Sequence, residues 1–393
     1  MMTPRLSEEA QDDLLGRGYS RRDLFRIAAV FSAATAVATA GRPVWASAGR
    51  VDPAPDAGVR IGSNECWTGP FAPGQMAAAE IICQSNRYAP EDQRGDFIRA
   101  VSEVEKVPFD HVAPWPGSSD PLSRTIVTFC SPTKGLVTAN PTYEQGWRTA
   151  EWLGAPVKKV PLKPDYTHDV KAMLEANPDA GLYYVCSPNN PTGTITPMAD
   201  IEWLVNNKPA GAKVLIDEAY IHFSDRFSHG ATASHLVAQD KDVVVLRTFS
   251  KVFGMAGMRM GYCMARPDII DKMMRYDGGM QSGALPMPSL ACATASLLQA
   301  DMIVARRKQM QEARAMTFEH LKKRGLRYIH GTEANMFMVD WKTKPAAAMQ
   351  KAFLAQGVAI GRSWPVWPNV SRVTVGSMAD MEGFCAALDK IVA

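Results

Sequence analysis

Short apolar runs of three or four residues recur through the middle of the chain, each followed by a polar or glycine-containing loop. Residues 135–138, 182–185, 214–216, 243–246 and 261–264 are such runs. Their length and β-branched content predict buried strands. Stretches of helical character separate them. Alternating β and α elements argue an α/β domain whose mostly parallel sheet is covered on both faces. Residues 287–324 contain few breakers and carry Leu290, Ala293, Leu297, Leu298 and Ile303 as apolar positions. They predict long helical character bridging to a smaller C-terminal α+β domain. Within it, 337–340 and 372–375 read as strands, and 357–360 as another. The expected division is a leader at 1–48, a linker and N-terminal arm at 49–75, a large domain at 76–285, and the bridging helix with the small domain at 286–393. Residues 49–60 read as a flexible, Pro- and Ala-rich linker.

Three of the predicted strands end in residues with chemistry. The run 243–246 leads into Thr248-Phe249-Ser250-Lys251, with Arg259 eight residues beyond the lysine. The run 182–185 leads into Asn189-Asn190-Pro191-Thr192-Gly193, and 214–216 into Asp217-Glu218-Ala219-Tyr220. In open α/β sheets, ligands bind beyond the carboxyl ends of the strands. A lysine and an arginine there suit a Schiff base beside a bound phosphate. Gly117-Ser118-Ser119-Asp120-Pro121 precedes the apolar positions Leu122, Ile126, Val127 and Phe129. That pattern is a helix N-terminus with small and hydroxyl residues at its mouth, which offers free N–H groups to an anion. Pro121 fits the first helical turn.

Asn-Pro-Thr-Gly, Asp-Glu-Ala-Tyr and Ser-Lys-x-Phe-Gly, in this order, resemble the fold-type I pyridoxal-phosphate (PLP) aminotransferases of class I/II, nearest to the histidinol-phosphate aminotransferase branch. The resemblance runs from about residue 61 to the C-terminus. It implies a seven-stranded-type large-domain sheet and PLP as cofactor. It also implies an amino acid and a 2-oxo acid as substrates, and a homodimer with shared active sites. Lys251 would carry the cofactor as a Schiff base and move the Cα proton. Asp217 would keep the pyridine nitrogen protonated. Tyr220 and Asn190 would hydrogen-bond the phenolic oxygen, and Tyr143 would stack on the ring. Ser118, Ser119, Thr248, Ser250 and Arg259 would hold the phosphate, joined by Tyr88 of the partner subunit. Arg372 would bind the substrate's anionic end, a role its planar guanidinium suits. Trp364 reads as a wall for an apolar or aromatic side chain, and as loop packing with equal weight, as do Trp367 and Trp67. Asn64, near the entrance, is a further substrate-side candidate. The family's second arginine follows a Gly-Val-x-Val strand. Here Gly361 takes that place and Arg362 comes one residue later, which along a strand turns a side chain to the other face. On that ground an α-amino acid is expected rather than histidinol phosphate.

Composition leaves the class open and narrows the surroundings. The chain of 393 residues is 46% apolar with net charge +3. No basic run points to nucleic acid. Seven cysteines show no disulfide or zinc spacing, and seven histidines show no metal motif, so no metal is expected. Ser20-Arg21-Arg22-Asp23-Leu24-Phe25-Arg26 precedes an apolar, Ala-rich stretch at 27–40. Twin arginines before a modest apolar region read as a twin-arginine (Tat) export signal recognised by the Tat machinery. The apolar stretch is too short for a stable membrane span. Cleavage after 40 or 48 and a periplasmic location are expected. An amphipathic N-terminal helix on a cytoplasmic protein is the alternative reading. Two other functions use the same residues: a PLP-dependent lyase or decarboxylase, and a non-catalytic binding protein on the same fold.

Overall fold

The computed structural model describes residues 6–31, 58–89, 91–275 and 285–392. Twelve strands are found among them: β1 Val59–Ile61, β2 Val112–Trp115, β3 Leu136–Asn140, β4 Val157–Pro161, β5 Leu182–Cys186, β6 Lys213–Asp217, β7 Val243–Thr248, β8 Gly261–Met264, β9 Arg327–Tyr328, β10 Met336–Asp340, β11 Val358–Ile360 and β12 Val370–Thr374. The large domain holds a seven-stranded sheet in the order β2-β8-β7-β6-β5-β3-β4. Neighbours are parallel from β4 through β7, and β8 runs against both β7 and β2. The central strands β5, β6 and β7 are buried throughout. Their near-continuous Val, Leu and Ile content follows from having helices on both faces. The two strands that the hydrophobic pattern did not predict, β2 and β4, are the sheet's edges. β2 contains Pro114, and β4 carries Lys158 and Lys159 outward. Both residue types are normal on an edge and dilute the apolar signature.

One charge breaks the apolar rule inside the sheet. Arg247 of β7 is fully buried and pairs with Glu105 (3.0 Å) and with Glu218. Tyr262 donates to Glu105 at 2.7 Å. A buried arginine is tolerated because its donors are met by two carboxylates. Glu218 neighbours Asp217, so this cluster also fixes the backbone at the end of β6.

The small domain contains an antiparallel sheet β9-β10-β12, while β11 pairs in parallel with β1. Residues 59 and 60, expected as linker, therefore belong to a strand stitched to the small domain; 49–57 lie outside the described residues. The expected long helical stretch at 287–324 is two helices, Met287–Leu297 and Ala300–Lys323, bent by 83° at the break. The first packs against helices Ala72–Ile82 and Gln93–Glu105. Of the expected leader, residues 6–31 are described. They form helices Glu8–Gly16 and Arg21–Phe31. Leu14, Tyr19, Leu24 and Ile27 are buried in one cluster with Trp115 and Leu122 of the large domain. Arg17 donates to the carbonyls of Val127 (2.7 Å) and Cys130 (2.5 Å), and Tyr19 donates to Cys130 at 2.5 Å. Arg21, Arg22 and Phe25 face solvent. The cleavage sites proposed near 40 and 48 lie outside the described residues. No single described helix is long and apolar enough to cross a membrane.

Candidate active site

The carboxyl ends of β5, β6 and β7 bring Asn190, Asp217 and Lys251 to one place. Asp217 is the last residue of β6 and is buried. Tyr184 donates to its Oδ2 at 3.0 Å, and the Ala219 N–H to its Oδ1 at 3.1 Å. Burial pushes its carboxyl up, while these two donors and the charge of Lys251 act the other way. Lys251 donates to the carbonyl of Asn64 at 3.2 Å and lies 5.3 Å from the centre of the Tyr220 ring. Burial, with Arg372 adding like charge, brings its amine down to about 8. Such an amine sheds its proton far more readily than a free lysine, and is neutral in about one molecule in ten at pH 7, as a nucleophile or base must be.

Tyr220 is buried beside it. Its oxygen accepts from Asn64 Nδ2 at 3.1 Å, which leaves its own O–H to donate elsewhere. Asn64 is held in turn. Thr374 donates to Asn64 Oδ1 at 3.0 Å, and the Asn64 N–H donates to Thr374 Oγ1 at 2.9 Å. Its φ of 55° is left-handed, a conformation asparagine tolerates better than other non-glycine residues. Asn64 thus stands behind Tyr220 and Lys251 as their support.

The anion cradle forms where β2 leads into helix Ser119–Phe129. Ser118 is the N-cap residue. Gly117 has φ of 87°, and a Cβ there would lie 2.7 Å from Arg259 Nη2. Only glycine both adopts this backbone and admits the guanidinium. A Cβ on Gly261 would meet the Gly117 carbonyl carbon at 2.7 Å, so β8 also needs glycine at its start. Thr248 donates to Ser250 Oγ at 2.9 Å, and the Ser250 N–H donates to Thr248 Oγ1 at 3.2 Å. Hydroxyls, a helix N-terminus and one guanidinium match a phosphate. Tyr143 donates to Gln145 Oε1 at 2.9 Å, and Gln145 Nε2 donates to the Ser119 carbonyl at 2.8 Å. The chain of contacts ties Tyr143 to the cradle.

On the other side, Arg372 donates to Asn190 Oδ1 at 3.0 Å and to the Gly62 carbonyl at 2.7 Å. Its Nε is buried and has no protein partner. Trp364 is buried, with its ring centre 5.6 Å from the Arg372 guanidinium carbon. Arg362 corrects the expectation of a side chain turned away. β11 ends at Ile360, so no strand alternation governs residue 362. Its guanidinium lies 4.1 Å from the Trp364 ring centre and pairs with Glu144 at 2.9 Å.

Three sequence candidates are not brought to this place. Tyr88 is fully exposed. Trp367 packs edge-to-face on Tyr166 (5.8 Å, 78°) and borders a separate cavity of about 740 Å³ with Tyr328 and His330. Trp67 packs against the core, partly buried. Residues that the motifs did not nominate include Tyr184, Thr374, Gly62 and Glu144. Tyr184 had a signal: a phenol inside an otherwise apolar central strand needs a partner when buried. All seven cysteines are free, and no group of metal ligands occurs among the described residues.

The family model for aminotransferase class I and II matches residues 77–388. An aromatic amino acid aminotransferase of Rhodococcus erythropolis is 31% identical over 337 residues, covering 85% of this chain and 90% of that protein. A histidinol-phosphate aminotransferase of Symbiobacterium thermophilum is 30% identical over 333 residues, covering 84% and 89%. Among solved structures, histidinol-phosphate aminotransferase from Sinorhizobium meliloti in complex with pyridoxal-5'-phosphate superposes with a TM-score of 0.76, at 21% identity, covering 91% of this chain and 95% of that one.

Proposed function

This chain belongs to the class I and II aminotransferases, PLP-dependent transaminases, and on that premise we propose that it takes the amino group from an aromatic or apolar L-α-amino acid. The observation that carries the substrate reading is the pairing of Arg372 with Trp364 (5.6 Å) on the Lys251 side of the site. A guanidinium whose Nε lacks a partner suits the α-carboxylate, and a buried indole suits an uncharged side chain. Rhodococcus relatives are aromatic amino acid aminotransferases, which favours the same class.

The residues fit the cofactor. Asp217 is a buried carboxylate for a protonated ring nitrogen, and burial alone would push it up unless a cation joined it. Tyr220, with its O–H unspent, and Asn190 Nδ2 would donate to the phenolic oxygen. The cradle of Ser118, Ser119, Thr248, Ser250 and Arg259 would hold the phosphate, with Tyr143 against the ring. When bound, PLP carries the amino group and takes up the electron pair left at Cα. Lys251 would be the protein's base: its amine, brought down to about 8 and aimed by the Asn64 carbonyl, would take the proton from the substrate's Cα and deliver it to the cofactor carbon that bears the amino group. Arg372 orients the substrate so that this proton faces the amine.

The exposed Tyr88 would complete the cradle of a second copy, giving a homodimer with shared sites. Its test is the solution mass, together with PLP affinity in Tyr88→Ala. The twin arginines at 21 and 22, exposed on a helix that follows Ser20, support export of the folded enzyme by the Tat machinery to the periplasm. Arg21→Lys with Arg22→Lys should retain the protein in the cytoplasm; unchanged periplasmic activity would overturn that reading.

The substrate test is an absorbance titration of the holoenzyme with single L-amino acids and no acceptor. Phenylalanine, tyrosine, tryptophan and leucine should bleach the cofactor band fastest. A faster response to histidinol phosphate or aspartate would reject the substrate class while leaving the transaminase intact.

A further inference from the structure

Two guanidiniums share one indole at the substrate end of the site. Arg372 and Arg362 lie 5.6 Å and 4.1 Å from the Trp364 ring centre, and the Arg372 N–H donates to the Arg362 carbonyl at 3.0 Å. Their charges are close enough for Arg362 to depress the Arg372 pKa, after burial as the main cause. Left to itself, such a pair is a receptor for a doubly charged or second anion.

The pair is not left to itself. Glu144 follows Tyr143 and is buried, with only 10% of its side chain accessible, whereas Arg362 is 46% accessible. Arg362 reaches both carboxylate oxygens, Nη1 to Oε1 at 3.3 Å and Nη2 to Oε2 at 2.9 Å. This is a two-pronged contact with the partner that is fixed and desolvated, so it is stronger than an exposed ion pair. Arg148 also reaches Oε2 at 2.7 Å, from a largely exposed position one helical turn on.

We propose that Glu144 is a specificity residue. By holding Arg362 against Trp364, it leaves Arg372 as the one guanidinium presented to substrate. The enzyme then accepts amino acids with a single anionic group and an uncharged side chain, and discriminates against a phosphate or second carboxylate at the far end. Glu144 acts on substrate through Arg362 and has no part in proton transfer. The inference rests on the reading that Arg372 receives the substrate's carboxylate.

Inorganic phosphate is the probe, titrated calorimetrically into PLP-loaded wild type, Glu144→Gln, Arg362→Met and the Glu144→Gln/Arg362→Met double variant. Releasing one guanidinium should tighten phosphate binding about tenfold in Glu144→Gln, the range of a charge-assisted hydrogen bond. The double variant should return to the wild-type value. Arg362→Met alone should bind phosphate no more tightly than wild type, because it removes a cation that Glu144 already occupies and leaves the carboxylate behind. The ratio of kcat/KM for L-glutamate over L-phenylalanine should rise in Glu144→Gln with the change carried by KM. Unchanged phosphate affinity in Glu144→Gln, or a gain that survives loss of Arg362, overturns the proposal. A wild type that ignores L-phenylalanine would reject the substrate class alone, since the phosphate titration decides the role of Glu144 separately.

Discussion

Helix Ser119–Phe129 has two ends with opposite fates. At its N-terminus, Ser118 and Ser119 stand beside Gly117 and Arg259, and the N–H groups of the first turn are open to an anion. At its C-terminus, the carbonyls of Val127 and Cys130 are taken by Arg17 and Tyr19, both from the turn between the two N-terminal helices. Every helix leaves donors at one end and acceptors at the other. Here one set is kept for a ligand and the other is satisfied within the chain. The first end lies in a region where charges are buried and geometry is fixed from several sides, by Arg247, Glu105 and Glu218 among others. The second holds a peripheral segment seated by a few apolar side chains, by the hydrogen bonds of Arg17 and Tyr19, and by contacts of Arg275 with Glu9 and Asp13. Substitutions at the first should therefore act on chemistry, and at the second on stability.

Lys251→Ala should lower turnover by about 10⁴-fold or more, measured by single-turnover kinetics with saturating donor, because base and Schiff-base partner are lost together. Substantial residual turnover would mean that another group moves the proton. Asp217→Ala should cost on the order of 10²–10³-fold in kcat and weaken PLP retention on dialysis; kcat equal to wild type would remove the electron-sink role. Arg372→Leu should reduce kcat/KM about 10–100-fold, the worth of hydrogen bonds to a charged group. An effect confined to KM would mark uniform binding rather than orientation in the transition state.

The pH dependence follows from Lys251. Its folded-state amine lies near 8, below the usual 10.5, so the folded form sheds its proton first. PLP uptake by apoprotein should accelerate by up to about tenfold for each pH unit approaching 8 and level off above 9. Between pH 8 and 10.5 the unfolded chain still holds that proton, so this group's contribution to stability grows with rising pH over the window. A flat uptake profile from pH 6.5 to 9 would place the amine elsewhere on the scale. The smallest effect on activity belongs to the other end of the helix. Deleting residues 1–31 should lower Tm by about 5 °C or more while kcat stays within about threefold. A deletion that abolished activity in a folded protein would erase the contrast between the two ends.

The strand-end chemistry was legible because each motif places its reactive residue within a few positions of an apolar run. That Asp217, Asn190 and Lys251 share one place followed from the rule that a parallel sheet gathers its carboxyl ends, while their roles followed from the resemblance of their motifs. Other features depend on residues that meet only after folding. Asn64 and Thr374 are 310 residues apart in sequence and join through strand pairing in the small domain. Glu144 and Arg362 are separated by 218 residues. The predicted fate of Arg362 failed because period-two alternation was applied beyond the end of a strand. The bend after Leu297 escaped prediction because no glycine or proline marks it.

The pairing of β1 with β11 has a mechanical consequence. Through it, and through the contacts of Gly62 with Arg372 and Asn64 with Thr374, residues 59–64 travel with the small domain. Lys251 belongs to the large domain, yet its 3.2 Å acceptor is the carbonyl of Asn64. A rotation of one domain against the other therefore lengthens or shortens that contact directly. The lysine's tether thereby couples the aim of its amine to the pairing of β1 with β11.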